Sequence, residues 1–356
     1  SYSVANLAAP ITSDPYLVPG ALPAGANGDV SEDPWELRDL LSSTFQFWYQ
    51  LQHRLGDLRG ELADLRGDYE EDLYHSQNGD SRASMQALEN TKAHLDTREA
   101  AYRRRMGELT PLLLHAVISL TVGQQLPRDY STYSKSERED VRARRRDVED
   151  ALLDLVDVLP AQHVMATLGQ QLALEFDAYT RAGGESAGEA AWQALEAPIH
   201  AFRALCRHFM LCSNASKGPL GESDPSVRPA LEAQVGQFAQ MLLAVRGCSD
   251  LRYSAVLALG RYAEMLRDHP DVLAPMLQNI VADLAMPAVA PAAAIAFRNV
   301  CEACAPALAQ LYVANILAVY QQCSVLAPAE QREITHGVTL VLRRLPYAAC
   351  ADAVDA

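Results

Sequence analysis

Between Ser249 and Pro346 the apolar positions recur every three or four residues. Leu251, Ala255, Ala258, Leu259, Tyr262, Met265 and Leu266 fall on one helical face. Pro270 breaks that stripe, and Leu273, Met276, Leu277, Ile280, Val281 and Leu284 begin another. Pro287 and Pro291 punctuate again before Ile295, Ala296, Val300 and Ala303. Pro306 precedes Leu308, Leu311, Tyr312, Ile316 and Val319, and Pro328 precedes Ile334, Val338, Val341, Leu342 and Leu345. The pattern predicts short paired helices joined by a few residues.

The pairs resemble one another. Leu257, Ala258, Leu259 and Glu264 align with Ile295, Ala296, Phe297 and Glu302, and Val338–Leu345 returns at a similar interval. Two helices per unit of roughly 40 residues, with small side chains in the first, is the signature of HEAT repeats. Alanines let neighbouring helices approach, so ridges pack into grooves along a stack. A lone hairpin cannot bury both faces. The expected fold is all-α, a HEAT-repeat (ARM-like) α-solenoid or superhelix of about six hairpins.

Upstream the same grammar holds, with interruptions. Residues 1–33, rich in Pro, Gly, Ala and Ser, read as a loop or the end of a preceding repeat. Asp33-Pro34 then opens a helix as N-cap and first residue, and the solenoid is expected over 34–346. Its first apolar face includes Leu37, Leu40, Leu41, Thr44, Phe45, Trp48 and Leu51, with Phe47 and Tyr49 beside it. So dense an aromatic cluster could stack bases; packing against adjacent helices is the plainer account in an acidic chain.

Residues 57–97 carry ten acidic and four basic side chains. They read as a charged, partly helical insertion between two helices of one repeat, with a turn at Asn78-Gly79-Asp80. It is either a lure for a basic partner or a solvated loop. Arg98–Gln125 is the return helix, kinked or restarted at Thr110-Pro111, with Leu112, Leu113, Ala116, Val117 and Leu120 as core. After a loop, Ser136 caps a helix with Val141, Val148, Leu152, Leu155, Val156 and Leu159 inward. Its other face, including Arg142, Arg145, Arg146, Glu149 and Asp150, implies ion pairs within the helix. Pro160 ends it and Ala161–Thr180 returns. Gly183-Gly184 makes a turn. Glu189–Cys212 buries Trp192, Leu195, Ile199, Phe202, Leu205 and Phe209; a loop at 213–225 follows, and Val227–Val245 returns. Residues 347–356 read as the start of a further repeat, so the chain is expected to be part of a longer protein.

The net charge of −15 argues against a general nucleic-acid binder and suits partners with basic surfaces. Seven cysteines without framework spacing imply a reducing compartment. The longest apolar run, 284–297, holds two prolines and is too short to span a bilayer, so no membrane insertion is expected.

Candidate chemistry is sparse. Cys301 and Cys304 spell C-x-x-C, but inside an alanine-rich helix without a second pair for zinc, which reads as core. His208 and Cys212 share a face at i, i+4 and could be half a metal site, with no second half evident. His269-Pro270-Asp271 is accounted for by a helix start with a first-turn acid. No phosphate loop, nucleophile elbow or zinc-protease motif occurs. No catalytic, cofactor or metal residue, and no enzyme, is expected.

Thr44-Phe45-Gln46-Phe47-Trp48-Tyr49 resembles a helix of the transportin-SR family of importin-β-like karyopherins. Arg142–Leu159, Trp192–Phe209, Leu251-Arg252-Tyr253, Ala294–Cys304 and Gly337–Pro346 are similar to its later helices, in the same order and spacing. The resemblance covers 34–346, and the importin-thirteen branch is a close sibling. It implies the central part of a HEAT superhelix that carries SR-rich and other basic RNA-binding cargo into the nucleus and releases it to Ran GTPase. It also implies encounters with nucleoporins and shuttling between nucleus and cytoplasm, without direct nucleic-acid binding. By alignment the family's Ran-gripping repeats precede Ser1 and its arginine-rich cargo helix follows Ala356, so no family residue carries over. The acidic stretch 57–97 departs from the animal pattern. On the inner wall made by the second helix of each pair, Glu175, Asp177, Glu232 and Asp283 are the candidate contacts for basic partners. A HEAT scaffold unrelated to transport is the alternative.

Overall fold

The structure, a computed structural model, describes residues 34–78, 82–127, 130–186, 188–215, 224–267 and 269–346. The chain divides into two units, 1–44 and 45–356. Of the first, residues 34–44 are described and are helical. The expected loop at 1–33 and the expected repeat start at 347–356 lie outside the described residues, as do Asp33, the centre of the 78–80 turn and most of the 213–225 loop.

Among the described residues there are thirteen α-helices and no strand. They are α1 (Pro34–Asn78), α2 (Arg82–Gly123), α3 (Lys135–Val158), α4 (Ala161–Arg181), α5 (Glu189–Ala215), α6 (Val227–Ala244), α7 (Ser249–Arg261), α8 (Ala263–Leu266), α9 (Pro270–Leu284), α10 (Ala290–Ala303), α11 (Ala305–Leu311), α12 (Val313–Gln322) and α13 (Pro328–Leu342). In the second unit, α3, α5, α7, α10 and α13 pack side by side in chain order. The alternate helices α2, α4, α6 and α9 form a second row against them. The molecule is thus a two-layered HEAT-repeat solenoid. Starts at Ser249, Ala290 and Pro328 lie roughly 40 residues apart, as HEAT units require.

The aligned positions carry the repeat into three dimensions. Ala258 and Ala296 are buried, Leu259 and Phe297 are buried, and Glu264 and Glu302 face solvent. The α10 and α11 helices meet at 91°. Between the rows, Phe202 of α5 stacks on Phe238 of α6 at 3.9 Å, and Tyr262 closes the trio edge-on. The Tyr262 hydroxyl donates to the Phe202 carbonyl (2.8 Å), so this fully buried phenol is satisfied.

Several local expectations need correction. Ser134 rather than Ser136 caps α3, in a capping box: its Oγ accepts from the Glu137 N–H, and Glu137 reaches back to its N–H at 2.7 Å. No new helix starts at Pro111, which lies within α2; Pro111 and Gly107, whose carbonyl loses its donor, are both exposed. Leu112, Val281 and Leu311, read from periodicity as core, are exposed. The described part of 57–97 is helical and continuous with α1 and α2, which run on from their neighbours rather than opening into a separate insertion. Arg66–Glu99 (2.6 Å), Thr91–Asp72 (2.7 Å) and Arg98–Glu61 (3.7 Å) tie these two helices together. By length and composition, α2 also holds a window apolar enough to cross a membrane; its Leu113, Val117 and Leu120 are buried, and α2 packs on α3, α4 and α5.

Gly183 and Gly184 have φ of 105° and 56°, the left-handed region that lets the chain turn after α4. That turn sets α4 antiparallel to α5.

Candidate protein-binding surface

Three of the four acidic candidates sit on neighbouring helices of the second row. Glu175 and Asp177 are on α4 and Glu232 is on α6, and these two helices pack together. Glu175 is half-buried and accepts from Gln171 Nε2 at 2.8 Å. Burial pushes its carboxyl above the usual range, and the Gln171 hydrogen bond opposes this. Asp177 is exposed. Glu232 pairs with Arg228 one turn earlier at 2.7 Å, an exposed contact of small energetic value.

Asp283 does not lie on that surface. Its side chain is 3% exposed and pairs with Arg252 of α7, which also donates to the Val245 carbonyl at 2.7 Å. Burial raises the Asp283 carboxyl, with Arg252 opposing. A carboxylate engaged in this way fastens α9 to α7 and to the end of α6, so it has no face to offer a partner. Periodicity placed it beside Leu284 on a helix end and gave no sign of the arginine a hairpin away.

The main polar feature missing from the sequence reading is a buried ladder between the first-row helices. Arg145 of α3 meets Glu196 of α5 at 2.6 Å, and Ser254 of α7 donates to the other Glu196 oxygen at 2.7 Å. One turn along, His200 Nε2 lies 2.5 Å from Glu149 Oε1, and Arg203 donates to His200 Nδ1 at 2.8 Å. Arginine has only donors, so Nδ1 carries the lone pair and the proton sits on Nε2, which lies close to Glu149 but makes no well-aligned hydrogen bond. His200 is therefore neutral. Burial chiefly holds its pKa below the ordinary value, with the charges of Arg145 and Arg203 pushing the same way. The face read as ion pairs within α3 is thus split: Arg142–Glu139 (3.2 Å) is such a pair, whereas Arg145 and Glu149 reach across to α5. The signal was present as two matched i, i+4 pairs of opposed polarity, Arg145/Glu149 and Glu196/His200, each flanking an apolar stripe.

The remaining candidates resolve simply. Cys301 and Cys304 are fully buried. Burial pushes both the Cys301 thiol and that of Cys206 up, the latter to about 12. His208 and Cys212 touch at 3.4 Å; among the described residues, no three His, Cys, Asp or Glu side chains converge as a metal site would need. Trp48 packs on the core, Phe47 lies edge-on to it at 4.9 Å, and Phe47 and Tyr49 are exposed. The side chains of Thr44 and Phe45 lie outside the described residues.

An open apolar groove of about 310 Å³ separates α9 from α12, with Leu277 and Val281 on one wall and Ile316 and Val319 on the other.

Comparison with known proteins matches this middle region. Residues 239–318 fit the family model of the transportin-3/importin-13 third TPR domain. The match starts near the end of α6 and runs into α12, across the most regular repeats. A solved chain, importin-13 in its cytosolic state, superposes with a TM-score of 0.60 over 88% of this chain at 15% identity. An uncharacterized protein of Schizosaccharomyces pombe is 26% identical over 234 residues, 64% of this chain. The chain spans 22% of that relative's length and 29% of the importin-13 chain.

Proposed function

We propose that the chain is a central segment of a karyopherin-β-type nuclear transport receptor, which takes SR-rich and other basic RNA-binding proteins into the nucleus and yields them to Ran-GTP. The observation that carries this reading is the match of residues 239–318 to the transportin-3/importin-13 domain, set within a solenoid of the importin-13 fold. An acidic stack suits it: net charge −15 raises the local concentration of arginine-rich partners. Glu175, Asp177 and Glu232, on adjacent second-row helices, are the proposed contacts for basic cargo. Many shallow contacts along a stack, rather than one pocket, would set affinity. Passage between nucleus and cytoplasm, with weak binding to nucleoporins, belongs to the same reading.

The matching domain model covers both transportin-3 and importin-13. An importin-13-like receptor that carries cargo in both directions is therefore the second reading.

The test uses the full-length protein that contains this chain. Immobilised receptor should capture an arginine/serine-rich protein and release it on adding GTP-loaded Ran, and GDP-loaded Ran should leave the complex intact. If GTP-loaded Ran neither binds nor displaces cargo, the reading fails, and a HEAT scaffold outside transport takes its place.

A further inference from the structure

The seam between α1 and α2 opens into a groove of about 230 Å³ whose charge is opposite to that of the chain around it. Leu55, Leu58, Leu62 and Leu65 follow one another at three- and four-residue steps along α1 and make its floor. From α2, Arg98, Ala101 and Arg105 share a face at i, i+3 and i+7, and Arg104 stands beside them. Ala101 is exposed, so the small residue leaves a trough between two long cationic side chains. Three arginines and a single carboxylate line this groove in a chain of net charge −15; Glu61 pairs with Arg98 at 3.7 Å, which leaves Arg104 and Arg105 as its excess positive charge.

The geometry points to this groove as a docking site for an acidic amphipathic helix of a partner protein. Ten residues of α1 span about 15 Å, close to three helical turns, which matches the reach of i, i+3, i+4, i+7 anchors on a bound helix. The volume is below the roughly 300–1,000 Å³ of small-molecule pockets and suits one or two inserted apolar side chains. The arginines select the partner's sign: Asp or Glu flanking the apolar stripe would meet guanidinium groups, and Lys or Arg there would be repelled. This surface is built from α1 and α2, whereas the acids are on α4 and α6, and it stands whether or not the transport reading does.

The probe is a synthetic helical peptide of about 15 residues, with Leu at i, i+3, i+4 and i+7 and Glu at the flanking positions. Its twin carries Lys in place of Glu. Fluorescence anisotropy against the 356-residue chain should show the Glu peptide binding at least about tenfold tighter than the Lys peptide. Arg104→Glu with Arg105→Glu should remove that preference. Ala101→Trp should abolish binding by filling the trough, and because position 101 is exposed it should leave the helical circular dichroism and melting temperature of the chain unchanged. Equal or tighter binding of the Lys peptide, binding insensitive to Ala101→Trp, or no binding of either peptide would overturn the proposal. So would self-association of the chain that Ala101→Trp disrupts, or capture of phosphatidylserine vesicles in preference to the Glu peptide.

Discussion

Gly260 of α7 lies against the backbone of Ala296 of α10 so closely that it has no room for a methyl group. A Cβ built on Gly260 would sit 2.6 Å from Ala296 Cα and 2.7 Å from its Cβ. The first row is drawn together at this point, with Ala258, Ala292 and Ala293 fully buried around it. Gly337 of α13 makes a looser version of this approach one hairpin on: a Cβ built there would sit 3.1 Å from a Phe297 ring carbon and 3.2 Å from the Arg298 Cα.

Gly260→Ala is therefore expected to destabilise the stack even though alanine is the better helix former. Helix propensity favours the change by about 1 kcal/mol, and overpacking against backbone opposes it by about 1–3 kcal/mol. Backbone cannot rotate aside, so the upper part of that range should apply and the net effect should be a loss. Urea unfolding should show a lower midpoint for Gly260→Ala. At Gly236, where nothing lies within 4 Å, the same substitution should raise it.

Arg145 and Glu196 offer a second test. Both are buried, and breaking such a pair strands a charge, at about 3–5 kcal/mol. Arg145→Met alone should lower stability by that order. Adding Glu196→Met should restore most of it, because two apolar side chains of similar volume replace a desolvated pair. Equal losses in the single and double variants would mean that the pair is solvated in solution.

What could be read from sequence followed from periodicity. The helix pairs of 249–346 and the apolar face of α5 were legible because a 3.6-residue stripe reports which side is covered. The ladder through Arg145, Glu196 and His200 was not, since periodicity cannot say which polar residue at a stripe's edge meets a partner on the next hairpin. Asp283 failed for the same reason: Arg252 is 31 residues away in sequence. Val281 was misread in the opposite direction, because a stripe names a face and the groove between α9 and α12 leaves part of that face open; Leu311, at the end of the short α11, is exposed as well. The acidic composition of 57–97 suggested solvation. It concealed a regular hairpin: Leu58, Leu62 and Leu65 do recur at three- and four-residue steps, but the charges between them drew the reading towards solvent.

Thiol chemistry separates core cysteines from reactive ones. With the Cys206 thiol pushed up to about 12 from an ordinary 9.0, its thiolate fraction falls by about a thousandfold. In the native protein Cys206 and Cys301 should resist iodoacetamide, and half-buried Cys212 and Cys248 should be modified sooner. All seven should react in guanidinium. Peptide mapping after a short pulse reads this directly. Rapid labelling of Cys301 would show that α10 is not sealed between α7 and α13.

The neutral His200 makes stability depend on pH with a definite sign. Its folded pKa lies below the ordinary 6.5, so between those two values the unfolded chain binds a proton that the folded chain does not. Stability should be full above about pH 6.5 and fall as pH drops through that window, by at most about 1.4 kcal/mol per pH unit for one proton. Below it, Glu149 and Glu196 continue the trend. Burial alone would raise them, but the His200 ring against Glu149 and the Arg145 charge at Glu196 outweigh it and hold both below 4.5. Eight other histidines also titrate, so the informative quantity is the difference between the native chain and His200→Gln. The variant should lose the part of the slope just below pH 6.5 that belongs to this ring. If the native chain instead gained stability relative to the variant as pH fell from 7 to 6, His200 would be protonated in the fold. Glu149 would then hold a cation, and the Arg203 guanidinium could not be donating to Nδ1.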